Sequence, residues 1–241
     1  LISGGKRAET VKSLARDISE FAEICKGKRL IVSIGSMSSG QYKHLTGGET
    51  AETVDDPDYT ERTRGLPRLL KQTEELSLLL AAVRRVRNVE GWRHTSIAVR
   101  YPTTPNLLSD FKKMLSTNGL RRSSTFNVFV YVDTPSEALI LEDFLSVGID
   151  GLLIDLKTLS GHMLSTNETD DSVKKVLESI RGKARELPAI AQLTKNSTEL
   201  VPFLVKSGFH GISVEPGLVD DVRAKTADIE RSLILRRPTN V

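Results

Sequence analysis

What the sequence lacks sets its first bounds. There is one cysteine, Cys25, in 241 residues, which excludes an internal disulfide and any cysteine-rich metal site. Aromatic residues make up only 5% of the chain, and Lys plus Arg outnumber Asp plus Glu by just 34 to 31, a net charge of +3. Neither the basic stripe nor the aromatic platform of a nucleic-acid binder is present. No run approaches the roughly 18 apolar residues of a membrane-spanning helix, and nothing resembles a signal peptide. The expectation is a cytoplasmic protein with neither nucleic acid nor membrane as partner. His44, His94, His162 and His210 show no metal-ligand spacing, and His162 alone follows a strand closely enough to be of interest. No Ser-His-Asp order or G-x-S-x-G elbow occurs. Cys25 falls on the Val11, Leu14, Ile18, Phe21 stripe of an amphipathic helix, which predicts a buried structural thiol. Arg84, Arg85 and Arg87 flank an apolar helical face and read as solvated surface.

What is there is clearest from Phe126 to Leu156. Val128 to Val132 is an unbroken apolar run suited to a strand buried on both faces of a parallel sheet. Thr134, Pro135 and Glu137 then supply an N-cap, a proline at the first helical position and the acid of a capping box. Apolar residues recur at helical spacing up to Gly148, and Gly151 to Asp155 is a second buried strand. This is a βαβ unit whose strands both end on a carboxylate, Asp133 and Asp155, at the end where parallel α/β folds bind ligands.

The rest of the chain repeats the alternation. Helical patterns cover Ala8 to Cys25, Leu66 to Arg87, Pro105 to Leu115, Asp171 to Ala184, Ser197 to Lys206 and Pro216 to Leu235. Strands are predicted near residues 30, 97, 129, 153, 190 and 213, with a weaker seventh just before Arg64. A polar loop from Leu45 to Arg64 is long enough to suggest function or disorder. Such alternation in ~250 residues predicts a (β/α)8 barrel, an open doubly wound sheet being the alternative. Because the chain opens with a helix, the expectation is that its first strand is missing from a piece of something longer.

YVDTPSEALILEDFLSVGIDGLLI resembles a segment of the phosphoenolpyruvate synthase (pyruvate, water dikinase) family, in which a strand ends in E-V-P-S, a helix follows and the next strand reads F-D-G-F-S-I-G. Ile31 to Gly48, IVSIGSMSSGQYKHLTGG, is similar to the family's I-V-R-T-S-D-F-K-T-N-E-Y-R-N-L-I-G-G. Arg64 to Leu69, RGLPRL, resembles R-G-A-S-R-Y, and Phe203 to Pro216, FLVKSGFHGISVEP, resembles F-L-V-E-A-G-I-D-S-I-S-V-N-P. The resemblance implies that residues 1–241 are a single barrel domain of the phosphoenolpyruvate/pyruvate type, the C-terminal part of a longer protein. In the family, a phosphohistidine on another domain phosphorylates pyruvate there, with Mg2+ on strand-end carboxylates and a cysteine exchanging a proton at the methyl carbon. A divalent ion and arginines stabilise charge on the enolate oxygen.

Carried across residue by residue, that site is eroded. The family's Arg, Asp and Lys fall on Ser33, Ser36 and Ser38. Its metal glutamate falls on Asp133, but its second metal ligand falls on Thr158, beside Lys157, and the catalytic cysteine falls near Ala191 and Gln192. Arg64, Arg68 and Asp133 remain in kind. Arg64 and Arg68 are candidate ligand-binding residues, with salt bridges to the acidic loop from Glu52 to Glu61 as the structural alternative. Asp133 is the candidate metal ligand, with Asp155 and Glu215 as further carboxylates; favourable placement at a helix N-terminus, a structural role and a surface ion pair are the respective alternatives. The resulting expectation is a degenerate, non-catalytic ligand-binding or scaffold domain, with Mg2+ weakly held or absent. Its partners would be a small carboxylate or phosphorylated ligand, other domains of the parent chain and a second copy in a homodimer. The alternative is an active Mg2+-dependent phosphotransferase, or another Mg2+-dependent enzyme, acting on a small carboxylate or phosphorylated substrate.

Overall fold

The computed structural model describes residues 6–52, 63–165 and 167–235. It is an α/β structure with parallel strands, and the chain divides into two compact units: residues 1–130 with 147–149, and residues 131–146 with 150–241. The elements of the first unit are helix α1 (Arg7–Ile24), β1 (Leu30–Ile34), α2 (Ser39–Lys43), α3 (Gly48–Ala51), α4 (Gly65–Lys71), α5 (Thr73–Asn88), β2 (Thr95–Val99) and α6 (Pro105–Thr117). Strand β3 (Val128–Tyr131) follows. The second unit continues with α7 (Pro135–Leu139), α8 (Leu141–Val147), β4 (Gly151–Asp155), α9 (Leu156–His162), α10 (Asp171–Lys183), β5 (Ala189–Gln192), α11 (Val201–Lys206), β6 (Gly211–Ser213) and α12 (Val219–Leu235).

In the first unit β1 pairs with β2 in parallel, Val32 opposite Ile97, and β2 with β3, Ala98 opposite Phe129. In the second, β4 pairs with β5, Leu153 opposite Ile190, and β5 with β6, Ala191 opposite Ile212. Every residue of β2 and β3 is buried, as the unbroken apolar runs require when both faces of a strand are covered. Helix α5 closes one face of the first unit with Leu76, Leu80, Val83 and Val86, and α1 lays Val11, Leu14, Ala15 and Ile18 against Ala82, Val86 and Trp92.

All six strands read from the sequence are present at the expected positions. Of the weaker seventh, Arg64 makes only an isolated antiparallel bridge to Ser38, and residues 53–62 lie outside the described residues. The helix expected over Leu66 to Arg87 is two helices, broken at Gln72 (φ −92°, ψ 61°). Lys71 in the last turn of α4 and Glu74 and Glu75 in the first turn of α5 suit that break, because each favours the helix end beside it. The helix after Asp133 is likewise broken, at Ile140, where Lys183 Nζ donates to the carbonyls of Ala138 (2.9 Å) and Leu139 (2.8 Å).

Two surface readings are corrected. Helix α1 ends at Ile24, so Cys25 sits beyond its last turn, half-buried, and not on the buried stripe. Arg87 is buried rather than solvated: Nη1 donates to the carbonyls of Arg93, Thr95 (2.6 Å) and Thr125 (2.8 Å), and the guanidinium lies 4.7 Å from the Phe126 ring centre. Helical periodicity alone cannot foresee that, because the acceptors lie beyond the end of the helix.

Candidate functional site

In the first unit the carboxyl ends of β1 and β2 are drawn together through glycine. Gly35 has φ +81°, and a Cβ on it would stand 3.0 Å from Gly65 Cα. Gly65 has φ +63°, and a Cβ there would meet Arg100 O and Tyr101 Cβ at 2.5 Å, so only glycine fits without displacing backbone. The Leu66 amide donates to Arg100 O at 3.1 Å. This approach sets Arg64 beside Tyr101, with Nη1 3.4 Å from the phenolic oxygen and the guanidinium 5.3 Å from the ring centre. Tyr101 and Thr103 both have left-handed backbones, φ +50° and +52°. Non-glycine residues tolerate that conformation only where the surroundings impose it, and such strain concentrates at ligand sites. Nothing in the local sequence marks Tyr101 as Arg64's neighbour, since the pair forms only when the two strand ends meet.

One turn beyond Arg64, Arg68 is buried. Nε and Nη2 donate to Glu52 Oε1 at 2.9 and 2.6 Å, and Nη2 lies 2.9 Å from Glu75 Oε2. The guanidinium lies 3.3 Å from the centre of the Tyr42 ring, and the Tyr42 hydroxyl donates to Glu75 Oε1 at 2.8 Å. Burial opposes the Arg68 charge, but Glu75 and Glu52 more than offset it, so its pKa is raised. Burial, followed by the charge and hydrogen bond of Glu75, pushes the Tyr42 phenol up to about 12. Glu52 belongs to the acidic loop weighed as a structural partner for the arginines; the rest of that loop lies outside the described residues. Ser38, where the resemblance places a lysine, is fully buried and caps α2, accepting from Gln41 N (3.2 Å) while its own amide donates to the Gln41 side chain (2.8 Å).

In the second unit Asp133 is fully buried. Its amide donates to Glu137 Oε2 (2.8 Å), as does that of Thr134 (3.0 Å), and Thr134 Oγ1 accepts from Glu137 N (3.2 Å). The capping box read from the sequence is therefore formed in full. His162 Nδ1 lies 3.0 Å from both Asp133 O and Thr158 O. Because both oxygens can only accept, that nitrogen carries the proton. Asp155 is the N-cap of α9, its Oδ1 accepting from Thr158 N at 3.2 Å. Helix α9 did not stand out from the sequence, although an aspartate at a strand end is an N-cap signal. Glu215 is exposed, and Gln192 lies exposed at the end of β5. Thr194, just past β5, donates to Glu168 (2.9 Å), a contact the sequence did not suggest.

A Mg2+ centre needs several oxygen donors converging on one point. Among the described residues no three Asp, Glu, His or Cys side chains do so. Asp155 is occupied with capping α9, and the position of the second ligand is Thr158, whose amide Asp155 holds. Among the described residues this donor set does not by itself fit a Mg2+ ion.

No family model matches the chain. Curated relatives do match. Phosphoenolpyruvate synthase of Aeropyrum pernix is 27% identical over 98% of this chain, and the probable phosphoenolpyruvate synthase of Staphylothermus marinus is 26% identical over the same share. Phosphoenolpyruvate synthase of Pseudomonas aeruginosa is 25% identical over 88% of it. The chain spans about a third of those proteins, 31%, 30% and 29% of their lengths respectively. Among solved structures, an HpcH/HpaI aldolase from Desulfitobacterium hafniense aligns with a TM-score of 0.44 and 9% identity, over 90% of this chain and 96% of that one. That likeness is too slight to bear on function.

Proposed function

We infer, from a chain homologous to phosphoenolpyruvate synthases along nearly its whole length, that it is the phosphoenolpyruvate/pyruvate-type barrel domain of a longer protein and that it binds a ligand without catalysing the family reaction. The observation that carries this reading is the Thr158 position. Where the resemblance implies a second metal carboxylate there is a threonine, and the neighbouring Asp155 is held in the cap of α9. The serines at 33, 36 and 38 and the lack of a cysteine near Ala191 and Gln192 point the same way. With Asp133 as the sole carboxylate kept at a metal position, the domain would need a second donor to fix Mg2+, and no step of the reaction is assigned to the ion.

Arg64 is the proposed ligand-binding residue, because a guanidinium at a strand end suits a small carboxylate or a phosphorylated compound. Other domains of the parent chain and a second copy of the barrel are the proposed protein partners. Phosphoenolpyruvate formation by the intact parent protein, assayed with pyruvate, ATP and Mg2+, tests the reading. No product is expected. Product formation abolished by Asp133→Ala would overturn it.

A further inference from the structure

Arg68 sits in an uneven site. Two carboxylates, the buried Glu52 and the half-buried Glu75, share one guanidinium, so the three groups together carry one negative charge more than Arg68 balances. Their ties are unequal. Glu75 stands in the first turn of the 16-residue helix α5, where an acid is favoured, and both of its oxygens are engaged, one by Arg68 and one by the Tyr42 hydroxyl. Glu52 is the C-cap of α3, a four-residue helix too short to be stable by itself. Among the described residues its ties are an amide bond to Gly48 O and its side chain on Arg68, where a single oxygen receives both Nε and Nη2. That is how a ligand carboxylate or phosphate oxygen would be held by arginine.

We propose that Glu52 is a built-in occupant of an anion site on Arg68, displaced when a small carboxylate or phosphate ligand binds. The proposal rests on the ligand-binding reading above and supplies its regulation: the site is closed by the chain's own carboxylate. An oxygen of the incoming anion takes the place of Glu52 Oε1 against Nε and Nη2 of the same guanidinium. Glu75 remains in place and keeps Arg68 oriented, while Glu52 and the short helix α3 move aside.

Calorimetric titration of the purified chain with oxalate, and separately with inorganic phosphate, tests this. Glu52→Gln keeps the shape and removes the charge, and it should tighten oxalate binding by about tenfold or more, about 1.4 kcal/mol. Glu52→Asp, with its charge on a shorter arm, should fall between wild type and Glu52→Gln, and it carries the test if the glutamine variant fails to fold. Glu75→Gln should gain less than Glu52→Gln, because it removes charge without vacating the ligand's position. Equal affinity of wild type and both Glu52 variants would overturn the occupant role while leaving ligand binding by the domain standing. No binding of either anion at millimolar concentration by wild type or variants would overturn both.

Discussion

The two units hold their strand ends by different means. In the second unit the chain at Asp133 and Asp155 is capped by the next few residues: Glu137 folds back on the amides of Asp133 and Thr134, and Asp155 caps Thr158. In the first, the fixing groups are distant in sequence: Gly65 lies against Arg100 and Tyr101, and Arg68 joins Glu52 to Glu75. Local capping contributes about 1 kcal/mol at a time and leaves the carboxylates in structural roles. Long-range anchoring concentrates buried charge, and with it the capacity to exchange one partner for another. On the proposed reading, the first unit would carry the arginines that meet a ligand, and the second the carboxylate kept at the metal position.

The largest expected effect is at Arg87. Its guanidinium collects the carbonyls of Arg93, Thr95 and Thr125 around the start of β2, under the Phe126 ring. Arg87→Leu leaves the buried Thr95 carbonyl and the half-buried carbonyls of Arg93 and Thr125 without this donor, and it should destabilise the chain by about 3 kcal/mol. Urea unfolding monitored by circular dichroism measures it. A loss of under about 1 kcal/mol, the range of an exposed side chain, would break the contrast between the units.

The same contrast explains what the sequence made legible. All six strands and the capping box at Thr134 follow from apolar runs and from signals within four residues of each other, and the structure has them in place. Arg87 was misread because its acceptors lie 6, 8 and 38 residues away. The break at Gln72 lay hidden in a continuous apolar period, while the charges on either side of it were visible in the sequence. At the candidate site, Asp133 and Asp155 were legible as strand-end carboxylates, and their hydrogen bonds were not. Arg64 could be singled out, but its pairing with Tyr101 depends on the close approach at Gly65, which no local pattern reports.

A smaller effect sharpens the comparison from the other side. Thr134→Ala removes the hydroxyl that accepts from Glu137 N, and it should cost about 1 kcal/mol, the usual value of an N-cap. Because Glu137 still accepts from the amides of Asp133 and Thr134, the strand end should stay in place. The same urea titration serves. A loss comparable with that of Arg87→Leu would mean that this end too depends on more than its cap.

An effect absent at neutral pH is confined to the alkaline range and belongs to the first unit. Tyr42 ionises at about 12 in the folded chain against its ordinary 10.0, because burial and then Glu75 disfavour the phenolate. Below pH about 10 the phenol is protonated whether the chain is folded or not, so its contribution is fully present. Between about 10 and about 12 the unfolded chain loses this proton while the folded chain keeps it, so stability falls as pH rises through that window. Tyr42→Phe keeps the aromatic face against Arg68 and removes the titrating group. The difference in unfolding free energy between wild type and Tyr42→Phe should therefore be flat up to pH about 10 and then shift steadily against wild type. A difference that stays flat through the whole window would show that neither burial nor Glu75 holds the Tyr42 phenol up in the folded chain, and the Arg68 cluster would lose one of its two anchors for that carboxylate.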